Sequence, residues 1–179
     1  MSRLRPGLVQ VYTGEGKGKT SAALGVTWRA LGAGLRVHFL QFLKGGIDPA
    51  ERRLAETFAP DLVFHNLSHP ATAALMRGEP TELDRRLAAE AWAVACPVLA
   101  DPRWDIVVLD EINNTVHLGL VPVRDLLEAL RARPEGMEVI CTGRNAPPEL
   151  CACADLVTEM RMVKHPFEQG QAARRGVDY

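Results

Sequence analysis

Two periodicities take turns along the chain. Leu8-Val9-Gln10-Val11-Tyr12 is rich in β-formers and stops at Gly14, which predicts a strand. From Thr20 to Leu31 the apolar positions recur at helical spacing, and Gly32 and Gly34 end that run. Val37 to Phe42 predicts a second strand, Glu51 to Phe58 a short helix and Leu62 to Leu67 a third strand. Pro80-Thr81-Glu82-Leu83-Asp84 then starts a long helix, with Thr81 as N-cap and Asp84 completing a near capping box. Its expected apolar face is Leu83, Leu87, Ala91, Val94 and Val98, and Pro97 is expected to kink or shorten its end. Further on, Trp104 to Leu109, Met137 to Thr142 and Leu156 to Met160 predict strands, while Pro122 to Arg131 and Pro147 to Ala154 predict helices. The polar tail from Lys164 to Tyr179 is expected to fold over the surface or a partner.

Strands separated by helices imply parallel pairing through right-handed crossovers. A fully apolar run such as Ile106-Val107-Val108-Leu109 suits a sheet covered on both faces. The expected fold is α/β: a three-layer sandwich around a mostly parallel central sheet, one domain over 1–179, with a flexible arm at 1–6 and a tail at 164–179. In such sheets ligands sit outside the carboxyl ends of the strands.

Composition mostly excludes. At 179 residues a domain buries roughly 70% of the surface of its unfolded chain, enough for one core without staples. Lys+Arg 21 against Asp+Glu 22 leaves a net charge of -1, which argues against a dedicated nucleic-acid binder. No apolar run approaches the roughly 18–20 residues of a membrane helix. Met1 to Pro6 is basic, but Gly7 opens a strand-like segment rather than a signal-peptide core. Cys96, Cys141, Cys151 and Cys153 form no C-x-x-C pair and read as small buried residues in a reducing cytoplasm. These signs point to a cytoplasmic protein with neither membrane nor nucleic acid as partner.

The strongest chemical signal is Thr13-Gly14-Glu15-Gly16-Lys17-Gly18-Lys19-Thr20, between the first strand and the first helix. It matches the phosphate-loop pattern G-x-x-x-x-G-K-[ST] except at its first position, where Thr13 stands. Glycines let backbone N–H groups converge on an anion, and the helix N-terminus adds its own unpaired donors. Hydrogen bonds to a charged group contribute roughly 1.5–3 kcal/mol each, against about 0.3–1 for an exposed helix dipole, so the donors dominate. Lys19 would bridge terminal phosphates, Thr20 would offer a hydroxyl to Mg²⁺, and Ser21 follows as a further candidate contact. Lys19 occupies the place of the third glycine of G-x-G-x-x-G, so the dinucleotide reading fails.

Asp110 and Glu111 follow four apolar residues, the setting of a carboxylate that holds a phosphate-bound metal. Successive strand residues face opposite ways, so the two carboxylates are expected to have different jobs. Arg144 also follows a predicted strand and is a candidate for the same crevice. Lys164-His165-Pro166 is a basic cluster that reads equally well as solvated, and His65 with His69 is a poor zinc pair in a loop. Trp28, Trp92 and Trp104 read as core. These features support ATP or GTP binding with Mg²⁺ but leave hydrolase, kinase, other transferase and nucleotide switch open.

The same residues resemble a specific family, the ATP:corrinoid adenosyltransferases acting on cob(I)yrinic acid a,c-diamide and cob(I)alamin. The resemblance runs from about Gly7 to Tyr179. It covers the loop with its first-position Thr13, Arg29-Ala30-Leu31-Gly32, Gln41 to Gly45, Val108 to Glu111, Thr142 to Pro147 and, most distinctively, Ala154 to Phe167. It implies a P-loop NTPase-like, RecA-like fold and an unusual reaction, in which Co(I) attacks C5′ of ATP and the whole triphosphate leaves. It also implies a nucleotide held in reversed direction by the loop.

By that resemblance Lys19 and Glu111 are the catalytic candidates. Thr13 to Ser21 with Arg29, Gln41 and Arg144 would contact nucleotide or substrate, and Thr20, Asp110 and Glu111 would face Mg²⁺ or Mn²⁺. It further implies a homodimer, a flavodoxin-like reductant and an N-terminal arm over the corrinoid. One departure stands out. Many members carry Gly-Phe-Thr-Trp after the third strand; this chain has Asn66-Leu67-Ser68-His69-Pro70, then Leu75 to Pro80, with no aromatic.

Overall fold

A computed structural model describes residues 6–43, 50–68 and 79–178. The N-terminal arm as far as Arg5, residues 44–49, His69 and Leu75–Gly78 fall outside the described residues. Six parallel strands form one sheet in the order β3-β2-β4-β5-β1-β6. These are β1 (Val9–Thr13), β2 (Val37–Gln41), β3 (Leu62–Asn66), β4 (Ile106–Asp110), β5 (Glu138–Thr142) and β6 (Leu156–Glu159). The helices are α1 (Lys19–Gly32), α2 (Ala50–Thr57), α3 (Glu82–Leu99), α4 (Ile112–His117), α5 (Val123–Ala132) and α6 (Pro148–Cys153). A short 3₁₀ turn, Pro166–Gln169, follows β6.

Strand alternation explains the three layers. Leu40, Val107, Leu109, Val139 and Cys141 join a core with Ala95, Leu99, Leu126, Leu130 and Leu150 from α3, α5 and α6. The intervening residues Phe39, Ile106, Val108 and Ile140 pack on the opposite face against Ala23 and Ala30 of α1 and Ala55 of α2. A strand buried on both faces is apolar at most positions, which is why segments such as Ile106–Leu109 read as near-continuous apolar runs. The expected three-layer sandwich is the observed one.

Several local expectations need correction. α3 has its capping box, with Asp84 N–H donating to Thr81 Oγ1 and Thr81 N–H to Asp84 Oδ2, but its buried stripe is Asp84, Ala88, Ala91, Ala95 and Leu99. Leu83 and Val94 are exposed, while the small side chains Ala91 and Ala95 enter the core and Ala88 packs with Leu120. Pro97 lies within the last turn, and the helix runs on past it to Leu99 although the proline has no N–H to donate to the preceding turn. Trp28 is exposed beside Phe58 rather than in the core. All four cysteines are free thiols; only Cys141 is fully buried, and burial pushes its pKa up to about 12. Between Glu111 and Pro122, where the sequence suggests no element, stands α4.

Candidate functional site

The phosphate loop leaves β1 at Thr13 and enters α1 at Lys19. Its glycines are required first by the loop's own packing. A Cβ at Gly14, where φ is +94°, would lie 2.5 Å from Met160 O; one at Gly16 would lie 2.7 Å from it. The gap is closed by hydrogen bonds: Gly16 N–H donates to Met160 O at 2.6 Å and Met160 N–H to Thr13 O at 2.8 Å. Glu159, Met160 and Arg161, within the distinctive C-terminal run, thus form the wall against which the loop is moulded. Lys19 is buried, and its Nζ donates to Gly14 O at 2.6 Å and Gly16 O at 2.8 Å, which curls the loop around the ammonium. Thr13 Oγ1 accepts from Ala146 N–H at 3.2 Å and ties the loop to the segment after β5.

Strand order decides what faces this loop. β5 lies between β1 and β4, with Tyr12 in register with Thr142 and Leu109 with Cys141. On the other side of β4, Gln41 is in register with Asp110. Asp110 is fully buried, and Oδ1 accepts from Thr20 Oγ1 at 2.8 Å and Thr142 Oγ1 at 2.6 Å. Gln41 Nε2 donates to Oδ2 at 3.0 Å. Three side-chain donors thus converge on one buried carboxylate. The strand then ends, and Glu111 enters a left-handed turn with φ +66°, a conformation costing roughly 1–2 kcal/mol for a residue with a side chain. This turn, rather than strand alternation, separates the two carboxylates. Asn114 Nδ2 donates to Glu111 Oε2 at 2.7 Å and sets that carboxylate at the start of α4.

Lys17, Lys19, Thr20, Ser21, Gln41, Glu111, Arg144 and residues of the 164–178 segment line one cavity of about 790 Å³. Glu15 and Arg144 meet on its rim as an exposed pair at 3.3 Å. Lys17 donates to Val177 O at 3.0 Å and pairs with Asp178, whose other oxygen accepts from Arg174 Nε at 3.1 Å. The tail therefore folds over the protein's own loop. Arg29 stands on the last turn of α1, exposed and outside the lining of this cavity. His65 meets His38, with 3.1 Å between ring nitrogens, and no cluster of three metal-ligating side chains occurs among the described residues. Sequence reasoning missed Thr142, Asn114 and Asp178 as site residues; Thr142 had a signal in its place at the end of a predicted strand, and from sequence the tail is expected over the surface or a partner, without a place at this cavity.

Gln41 Oε1 is buried in this cavity with no hydrogen-bond partner among the described residues. An orphaned oxygen beside Thr20, Asp110 and Glu111 makes a set of hard oxygen donors suited to a hydrated Mg²⁺. A parallel sheet with this loop and this acidic strand end defines an α/β protein of the P-loop class. Over residues 5–179 the chain matches the family described as ATP:corrinoid adenosyltransferase BtuR/CobO/CobP, and it belongs to that family. It is 38% identical over 173 residues to a corrinoid adenosyltransferase of Pseudomonas aeruginosa, covering 97% of this chain and 84% of that one. To the corrinoid adenosyltransferase CobA of Salmonella typhimurium it is again 38% identical, covering 97% and 86%. Among solved structures it is similar to a KaiC-like protein of Pyrococcus horikoshii, with TM-score 0.48, 16% identity and 92% and 83% of the two chains covered. No helix among the described residues is long and apolar enough to cross a membrane.

Proposed function

We propose that this protein transfers the 5′-deoxyadenosyl group of ATP to the Co(I) of a reduced corrinoid, cob(I)alamin or cob(I)yrinic acid a,c-diamide, and releases triphosphate, in adenosylcobalamin synthesis or salvage. The observation that carries the reading is a phosphate loop and an acidic strand end sharing one cavity in a chain of this family. Co(I) supplies an electron pair, a Co–C5′ bond forms, the C5′–O bond breaks, and its electron pair departs with the triphosphate. Because the nucleophile is the corrinoid itself, the protein needs neither a nucleophilic side chain nor a strong base. Its work is to place C5′ in line and to stabilise charge on the leaving group.

Lys19, the loop amides and Arg144 suit the leaving triphosphate, with Ser21 and Gln41 as further contacts. Thr20, Asp110 and Glu111 would hold Mg²⁺ or Mn²⁺, which when bound neutralises phosphate oxygens. Glu15 with Arg144 and Lys17 with Asp178 keep the cavity rim together. Homodimerisation and a flavodoxin-like electron donor belong to the same reading, supported by family membership.

An anaerobic assay with ATP, Mg²⁺ and a Co(I) corrinoid tests it. The expected products are a light-sensitive Co–C species and inorganic triphosphate. ADP accumulating beside unalkylated corrinoid would overturn the proposal.

A further inference from the structure

Thr142 closes β5, is fully buried, and stands between the phosphate-loop strand and the acidic strand. Its hydroxyl has one proton to give. Glu111 N–H, 3.1 Å away, can only donate, so Thr142 Oγ1 accepts there and directs its own proton to Asp110 Oδ1 at 2.6 Å. One oxygen therefore does two things. It shares Asp110 Oδ1 with Thr20, the loop hydroxyl, and it pins the peptide N–H of the left-handed turn that carries Glu111.

The surroundings leave that turn little freedom. Thr115 N–H and Oγ1 both donate to Glu111 O, at 3.1 and 2.9 Å. Gly143, next after Thr142, has φ +129°, and a Cβ there would lie 3.1 Å from Asn113 Cβ and 3.3 Å from Glu111 Oε2. Asn113 Nδ2 bridges Gly143 O at 3.0 Å and Tyr12 O at 3.2 Å. The strand ends of β1, β4 and β5 are thus cross-linked at the point where both carboxylates leave the sheet.

We propose that Thr142 is a positioning residue: its hydroxyl couples the orientation of Asp110 to that of Glu111, so that the two act as one divalent-cation site beside Thr20. This rests on the reading of Asp110 and Glu111 as the metal side of the nucleotide site. Groups that orient metal-binding side chains typically contribute about 10- to 100-fold in affinity or activity.

The test compares Thr142→Val, which keeps the shape and removes both hydrogen bonds, with Thr142→Ser, which keeps them. The probe is Mn²⁺, titrated by electron paramagnetic resonance against the full-length protein with and without ATP. Adenosyl transfer is followed in parallel for its KM and kcat. Thr142→Val is expected to weaken Mn²⁺ binding about 10- to 100-fold and to lower kcat more than it raises KM for ATP, and Thr142→Ser is expected to restore both. Unchanged Mn²⁺ affinity in a folded Thr142→Val overturns the proposal, as does an equal loss in Val and Ser. If Val does not fold, Thr142→Cys replaces it, since a thiol keeps the size with weak hydrogen bonding; wild-type affinity there also overturns it. If the wild type makes no adenosylcorrinoid yet Val still loses Mn²⁺ and Ser restores it, the functional reading fails and the positioning role stands.

Discussion

The carboxyl end of β4, where Glu111 follows Asp110, and the segment from Lys164 to Asp178 border the same cavity, and they are built in opposite ways. At β4, Asp110 is fully buried and receives hydrogen bonds from Thr20, Thr142 and Gln41. In the segment, Asp178 joins Lys17 and Arg174 through side chains in contact with water. A buried, satisfied carboxylate is costly to disturb because each partner left behind loses its bond without gaining solvent. An exposed pair is screened and exchanges freely with water, so it is worth only about 0–1 kcal/mol. The first region therefore sets geometry, and the second closes the cavity at little energetic cost to opening.

The sharpest way to break this contrast is at the loop itself. Lys19→Ala should lower kcat/KM at least about a hundredfold, since charge-assisted hydrogen bonds to phosphate are lost. Steady-state kinetics with ATP varied would measure it, and a loss below tenfold would remove Lys19 from the site. Next in size, Asp110→Ala leaves the Thr20, Thr142 and Gln41 donors without their acceptor and should destabilise the fold by about 2–4 kcal/mol. Urea denaturation reads this directly; a wild-type midpoint would mean that the buried network is not what holds this end together. Gly143→Ala, forced to keep a positive φ, should cost about 1–3 kcal/mol and weaken Mn²⁺ binding.

A buried polar group that lacks such partners behaves differently. His38 packs against Trp104 and His65, and its Nδ1 has no hydrogen-bond partner. Burial, and next the neighbouring His65, lower its pKa from 6.5 to about 4. The unfolded chain then binds a proton that the folded one refuses, so stability present above pH 6.5 is lost as pH falls towards about 4. Thermal melts across that window should show the decline, and His38→Gln should flatten it; an equally steep decline in the variant would assign it to other groups. The smallest effects belong to the exposed segment. Lys17→Ala and Asp178→Asn should each change KM for ATP within about threefold, with the difference vanishing at high salt. A salt-independent change of tenfold would show that this segment fixes geometry as firmly as β4 does.

Much of this contrast is legible in the sequence. The central strands can be read because covering a sheet on both faces makes them largely apolar, as in Ile106–Leu109, and the phosphate loop because its glycines and Lys19 sit at fixed spacing after β1. α4 could not be read. Asn113, Asn114 and Thr115 are weak helix formers, and the turn forms around bonds such as Asn113 to Tyr12 O and Gly143 O, made to distant strands. The stripe of α3 differs for a related reason: hydrophobicity favours Leu83 and Val94, whereas the neighbours that tertiary packing supplies bury Ala88, Ala91 and Ala95.

The amino-acid sequence by itself determined the order of strands and helices, the phosphate loop and the pair Asp110–Glu111, since each depends on neighbours a few residues apart. Tertiary structure decided that β5 lies between β1 and β4, which brings the Thr142 hydroxyl to both carboxylates, and that Met160 and Asp178 close upon the loop. The reason is physical: periodicity records which side of a segment is buried, while the lateral order of strands comes from packing between segments far apart in the chain.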